Sequence, residues 1–333
     1  MHMRKPAQEQ KIVLSPALEA ARPPEKVSWD YTPGDRFTAW KVRWGIGRMN
    51  CRVRPGLYAL GSPSKGSPVF ATANYRLSFD ALRRALTGTD AWLLVLDTKG
   101  INVWCAAGKG TFGTLELARS IQDSGLEKFV THREIILPQL GAPGVSAHRA
   151  AAYTGFRVIY GPVRADDLPE FLRLGKKASP EMRKVRFGLY DRLVLAPMQL
   201  VYYGKYLLPA AALLLLLGFR IDALFTLAAL LTGAVLVPVL LPWLPGRSFA
   251  LKSAVAGLAV SAAVCLLLGL PPYSAAARIL IYTAAASFIG LDFTGASTYT
   301  SLSGVRKEMR LATPAQAAGL LAGLAMLLAG RFL

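Results

Sequence analysis

Three cysteines occur in this chain of 333 residues, and one of them has neighbours that suit chemistry. Cys105 lies in the run Asn102-Val103-Trp104-Cys105-Ala106-Ala107-Gly108-Lys109-Gly110, between an aromatic side chain and a glycine-rich turn. Cys51 and Cys265 have no comparable surroundings. A single sulfur cannot build a structural zinc or iron–sulfur site, because both need several ligands. Four roles stay open: a buried packing residue, a nucleophile, a redox thiol, or one axial ligand to a metal carried by a cofactor. Free cysteine is among the most buried residue types, so packing is the reading the neighbours must displace.

The glycines beside the thiol imitate two familiar phosphate sites. Gly108-Lys109-Gly110-Thr111-Phe112-Gly113 fits G-x-G-x-x-G literally. A dinucleotide fingerprint sits tight against a strand end and is followed, about 20 residues on, by an acidic residue. Here it begins eleven residues beyond Asp97, and Glu127 and Glu134 are poorly placed for the acidic role. A phosphate loop, G-x-x-x-x-G-K-S/T, fails at Val103 and Gly110. What survives is physical: glycines let backbone approach a large flat ligand, and amides opening the next helix can hold its polar groups.

The elements that position this loop are legible in part. Residues 1–38, rich in Pro, Glu and Lys, read as an extended N-terminal arm. Thr38–Trp44 and Arg52–Arg54 read as short strands, and Gly56–Pro68 as loop. Ser78 is placed to cap a helix that Gly88 ends. Ala91–Asp97 (AWLLVLD) is an unbroken apolar strand of the kind covered on both faces. Ile101–Ala106 reads by pattern as another short extended piece, and Thr111 or Thr114 opens a helix through Ile121. Strands at Glu134–Leu137 and Phe156–Tyr160 flank a helix at Ala147–Tyr153, and Asp166 or Asp167 caps a last short helix through Leu172. This alternation predicts an open α/β sheet over residues 39–175. Such sheets bind ligands at their carboxyl edge, where Thr98–Gly110, Pro138–His148 and Gly161–Ala165 fall.

After Arg192 the composition changes. A basic linker, 176–198, leads to residues 199–333, where Leu, Ala and Val dominate. Leu207–Phe219, Ala223–Leu241, Ala254–Leu270, Ala275–Leu291 and Pro314–Gly330 predict about five spans of about 30 Å of hydrocarbon. Lys176, Lys177, Arg183, Lys184, Arg186 and Arg192 precede the first. Arg247 and Lys252, then Arg306, Lys307 and Arg310, fall in the second and fourth loops, while Arg220, Arg278 and Arg331 are sparse on the other side. The positive-inside bias therefore predicts a cytoplasmic N-terminal domain at the inner membrane and a C-terminus outside. Met1–Pro24 has no apolar core of signal-peptide length. The net charge of +19 comes without any aromatic-interleaved basic patch, so no nucleic-acid partner is expected. Membrane lipid, and an acidic protein, are the expected counter-charges.

The run Asn102–Lys109, with Leu93–Phe112, Ile136–His148 and Phe156–Arg164, resembles the HgcA family, membrane-anchored corrinoid proteins of anaerobic mercury methylation. Their soluble domain is similar to the large subunit of the corrinoid iron–sulfur protein. The resemblance implies a Rossmann-like corrinoid-binding domain followed by an all-helical transmembrane domain. It implies a cobalamin-type corrinoid, with Cys105 on a short cap helix under the ring and its thiolate as lower axial ligand to cobalt. Against the periodicity reading of Ile101–Ala106, the resemblance makes that segment helical. Cofactor contacts would come from Thr98, Asn102, Trp104, Ala106, Gly108, Lys109, Gly110, Gly141, Gly144 and His148, with Thr98 otherwise a strand-end turn residue, Trp104 otherwise packing the cap helix and His148 otherwise a helix-face histidine. Asn102 either caps the helix or bonds the thiolate; Lys109 meets a corrin amide, acts on the thiol, or is solvated. His132 and His148 lack the Asp-x-His-x-x-Gly context of histidine-ligating corrinoid domains.

By the same resemblance the activity is transfer of a cobalt-bound methyl group to thiol-bound Hg(II). The partners are an HgcB-like ferredoxin with two 4Fe–4S clusters and a folate-dependent methyl-donating system. Two other functions stay open: a corrinoid methyl carrier of one-carbon and acetyl-CoA metabolism, and a membrane transporter or sensor with a cytosolic ligand domain. The absence of a four-cysteine cluster motif argues against the first, and the few charges in the spans against a pump.

Overall fold

The strands of the first half owe their burial to alternation on two faces. In the computed structural model, which describes residues 22–296, 302–330 and 332, the chain begins with β1 (Glu25–Val27) and helix α1 (Pro33–Arg43). β2 (Gly56–Leu60), β3 (Val69–Ala73), α2 (Arg76–Ala85) and β4 (Ala91–Leu96) follow. Then come α3 (Val103–Lys109), α4 (Thr114–Ser124), β5 (Glu134–Leu137), α5 (Ala147–Thr154), β6 (Arg157–Tyr160) and α6 (Leu168–Arg173). One six-stranded mixed sheet runs in the order β1-β2-β4-β3-β5-β6. β3 is parallel to β4 and β5, β5 to β6, and β2 is antiparallel to β4.

Every residue of β4 is buried. Leu94 and Leu96 pack with Val103, Ala106, Leu117 and Ile121 from α3 and α4, while Leu93 and Val95 pack with Phe79, Leu82 and Phe171 from α2 and α6. Each such leucine contributes about 1.5–3 kcal/mol by leaving water. Because β3, β4, β5 and β6 are parallel, their carboxyl ends share one edge, and the three expected loops emerge there.

Several expectations are corrected near the amino end. Residues 1–21 of the arm lie outside the described residues, but 25–27 are a sheet strand and Thr38–Arg43 is helix, not strand. Thr32 and Asp35 make the reason plain: the Asp35 N–H donates to Thr32 Oγ1 and the Thr32 N–H to Asp35 Oδ2, a reciprocal cap with Pro33 in the first position. β2 lies inside the stretch read as loop, and β3 was given no element at all. Ser78 is within α2 rather than capping it, since Tyr75 holds that position. Arg52 forms only an isolated bridge to Tyr75.

Among the described residues, chain contacts separate two units, one within 22–39 and 47–184 and the other within 40–46 and 185–332. The second continues with α7 (Leu189–Leu193), α8 (Ala196–Leu216), α9 (Arg220–Leu231), α10 (Val237–Leu240), α11 (Phe249–Leu267), α12 (Pro272–Asp292) and α13 (Leu302–Ala329). Among the described residues five helices are long and apolar enough to cross a membrane: Leu189–Leu216, Arg220–Leu240, Phe249–Leu267, Pro272–Asp292 and Ser303–Ala329. A π-helical turn, Thr232–Leu236, joins α9 to α10, where a Cβ on Gly233 would stand 2.5 Å from Ile289. Arg278, expected in a loop, lies inside α12 and pairs with Asp222 at 2.9 Å. Arg306, Lys307 and Arg310 likewise belong to α13, and Arg331 lies outside the described residues.

Candidate functional site

At the carboxyl end of β4 the chain turns sharply, with Lys99 (φ 60°) and Gly100 (φ 76°) both left-handed. Asn74, just past β3, organises that turn from below. Its Oδ1 accepts from the Thr98 N–H (3.1 Å), the Thr98 hydroxyl (2.9 Å) and the Gly100 N–H (2.8 Å), and its Nδ2 donates to Asp97 (3.1 Å). Asn74 is 2% exposed, so these bonds replace water entirely. Burial works to raise the Asp97 carboxyl, yet Lys99, by side chain and N–H, holds it below the usual carboxylate range. Burial pushes the neighbouring Glu116 carboxyl upward, although Glu116 accepts from the Asp97 N–H and the Ser120 hydroxyl.

From this base α3 rises as a two-faced helix. Asn102 is its N-cap, and Oδ1 accepts from the Cys105 N–H at 2.9 Å, so capping is the role its side chain performs. Val103, Ala106 and Ala107 face the core. Trp104 is 38% exposed, Cys105 is half-buried, and Gly108, Lys109 and Gly110 are exposed. Spacings of three and four put Trp104, Cys105 and Gly108 on one side of the helix. A Cβ on Gly108 would meet nothing within 4 Å, and neither would one on Gly110, which ends the helix with φ 81°. The outer face of α3 therefore carries the exposed Trp104 and the half-buried Cys105, with open space over Gly108.

The expected contact residues thus divide into two groups. Trp104, Cys105, Gly108, Lys109 and Gly110 come together on open surface. Thr98 does not join them: it is fully buried, and its hydroxyl is committed to Asn74 and to the Ile101 carbonyl at 2.7 Å. Ala106 is fully buried on the core face. Gly141 and Gly144 make close approaches, but to protein. A Cβ on Gly141 would stand 2.6 Å from the Phe112 ring, and one on Gly144 would stand 2.1 Å from the Phe112 carbonyl oxygen and 3.0 Å from Ala107 Cα. They let the 138–146 loop lie against α3. That loop also occupies the first amide of α4, since the Thr114 N–H donates to Gly144 O, and Thr114 Oγ1 accepts from the Ser146 N–H.

His148 is exposed on α5, which packs chiefly against α4 and β6. His132 is structural: Nδ1 accepts from the Glu134 N–H, leaving Nε2 to donate to Ser67 O at 2.9 Å. Among the described residues no three His, Cys, Asp or Glu side chains cluster to hold a metal ion. The donor set is one sulfur, which suits a metal that brings its remaining ligands with it. The space directly over Gly108 is open, which leaves room there for part of a large ligand beside Trp104.

Residues 46–172, the sheet domain with this site, match the family model described as CO dehydrogenase/acetyl-CoA synthase delta subunit. The segment is thus a domain similar to that of corrinoid/iron–sulfur large subunits. The gamma subunit of the acetyl-CoA decarbonylase/synthase complex of Methanopyrus kandleri is 34% identical over 122 residues, 36% of this chain and 26% of the relative. The corrinoid/iron–sulfur protein large subunit of Moorella thermoacetica is 31% identical over 124 residues, 37% and 27% of the two chains. The chain spans about a quarter of the length of these relatives. The family match, residues 46–172, ends before the first apolar helix.

Proposed function

We propose that this chain is a membrane-anchored corrinoid protein that carries methyl groups, with the Cys105 thiolate as a ligand to the corrinoid cobalt. The observation that carries the reading is a half-buried thiol on the outer face of α3, beside the open space over Gly108, within a segment similar to proteins named for a corrinoid. A bound corrinoid supplies a cobalt able to accept and release a methyl group. The chain's own part is to hold and orient. Asn102 fixes the first turn of α3 and with it the direction of Cys105. Gly108 leaves room for the ring, Trp104 offers an apolar plane beside it, and Lys109 offers a cation to an amide or carboxylate at its rim. Asn74, Thr98, Gly141 and Gly144 hold α3 in place from beneath.

The narrower proposal concerns the methyl acceptor. The relatives' names speak for one-carbon metabolism, and a methyl carrier of that kind is the reading they favour. The segment Asn102–Lys109 speaks for Hg(II), because its resemblance to the mercury-methylating family includes the cysteine itself. Cys105 would hold the corrinoid metal through a strongly donating thiolate, and the group so held would supply methyl transfer to a soft metal ion. That role calls for a low-potential electron donor such as an HgcB-like ferredoxin, and for a folate-dependent methyl source. The basic residues before the first span, with Arg247 and Lys252, support an inner-membrane protein whose sheet domain is cytoplasmic. Replacing Cys105 tests the acceptor: anaerobic cells carrying Cys105→Ala should lose at least about nine-tenths of methylmercury formation. Parental methylmercury yields from that variant would refute the acceptor assignment.

A further inference from the structure

The apolar half contains a cavity of about 1080 Å³ between α11, α12 and α13. Its mouth carries Arg247 and Lys307, both exposed and neither paired with a carboxylate among the described residues. Glu308 stands beside them, but its Oε1 accepts from the Ser248 hydroxyl (2.8 Å) and the Ala250 N–H (2.6 Å), so it caps the start of α11. The walls include Leu251, Leu258, Leu280 and Leu311, all exposed among the described residues. Along α11 the lining runs from Arg247 to Leu258, about 16 Å at the helical rise, or roughly half of a 30 Å hydrocarbon layer. Thr283 and Gln316 also line it, and each holds a buried oxygen with no hydrogen-bond partner.

We propose that this cavity is a specific site for one anionic phospholipid. Arg247 and Lys307 hold the phosphate, and an acyl chain fills the leucine-lined shaft to the depth of one leaflet. Cations at the mouth and hydrocarbon behind them match an anionic amphiphile, whereas a free anion would leave the shaft empty. The proposal rests on the membrane-spanning reading of these helices, and not on the corrinoid.

The test uses the full chain purified in mild detergent, delipidated, and titrated separately with phosphatidylglycerol, phosphatidylcholine and inorganic phosphate. Native mass spectrometry should count one phosphatidylglycerol per chain, bound at least about tenfold more tightly than phosphatidylcholine. The double variant Arg247→Gln, Lys307→Gln should lose that preference. Gly319→Leu, whose Cβ meets only ordinary contacts and whose side chain would enter the cavity, should block binding while leaving both cations. Arg220→Gln, outside the cavity, should bind like the parent. Equal affinity for the two lipids, parental binding by the double variant, or competition by inorganic phosphate would overturn the proposal. A chain that stays dispersed without detergent would instead overturn the membrane reading beneath it.

Discussion

At the scale of single residues, the site depends most on a side chain that does not face the ligand. Asn74 closes three bonds to the Thr98–Gly100 turn from a position 2% exposed. Asn74→Ala removes the acceptor these three groups share; the Thr98 N–H keeps Leu96 O and its hydroxyl keeps Ile101 O, but the part-buried Gly100 N–H loses its partner, at a cost of about 1–2 kcal/mol read as a lowered urea midpoint. The Asn102→Ala change removes a cap alone and should cost about 1 kcal/mol. Nothing in the sequence marked Asn74, because it follows a strand that was not expected and belongs to no motif. Asn102 was legible as a cap. Thr98 was misassigned for a physical reason: a hydroxyl at a strand end bonds equally well inward and outward, and only the fold decides.

At the scale of elements, two glycines of one loop system should behave oppositely. Gly144→Ala drives a methyl group to 2.1 Å from the Phe112 carbonyl, so the 138–146 loop must move off α3, with a loss of about 2 kcal/mol or more in thermal unfolding. Gly108→Ala meets nothing and replaces a helical glycine, so stability should rise by a few tenths of a kcal/mol to about 1. Its corrinoid affinity should nevertheless fall, because the new methyl group stands in that open space. Unchanged affinity would mean that the ring does not lie over Gly108. The helical state of α3 was invisible to periodicity, being seven residues long, and came from the resemblance instead. β2 was hidden by the glycine, serine and proline around Gly56–Leu60, whereas β4 announced itself by an unbroken apolar run and β5 and β6 by short apolar stretches beside one charged residue each. α1 carried a readable signal in Thr32-Pro33-Gly34-Asp35, which the apolar residues after it obscured.

Across the whole molecule, charge is used for attachment in each unit separately. In the sheet domain Asp35 bonds Arg76 and Arg83 at 2.7 Å each, and Asp80 bonds the same two arginines at 2.9 Å. Burial works against the Asp35 carboxylate, but Arg83 and Thr32 carry its pKa down from an ordinary 3.8 to about 2. Lys176 and Arg157 do the same for Glu134, from 4.5 to about 2. Both folded values lie below the unfolded ones, so the stabilisation is complete above about pH 4.5 and is lost as pH falls toward 2. Acid unfolding of the sheet domain should therefore begin below pH 4.5, and Asp35→Asn should flatten that dependence while lowering stability at neutral pH. The five spans were legible from composition alone, to within a few residues at most ends. Their internal polar contacts were not, because Arg278 reads as a loop cation, whereas it lies inside α12 and pairs with Asp222 of α9.

The central claim, that Cys105 ligates a corrinoid cobalt, is reached most directly by one spectroscopic measurement. The purified full chain, incubated anaerobically with cobalamin and freed of excess, should retain about one corrinoid per chain. Its visible spectrum should shift when Cys105 becomes His, since a neutral nitrogen then replaces a thiolate at the metal, and should shift again when it becomes Ala. A protein that stays colourless, or one whose bound corrinoid has the same spectrum in all three forms, would contradict the account.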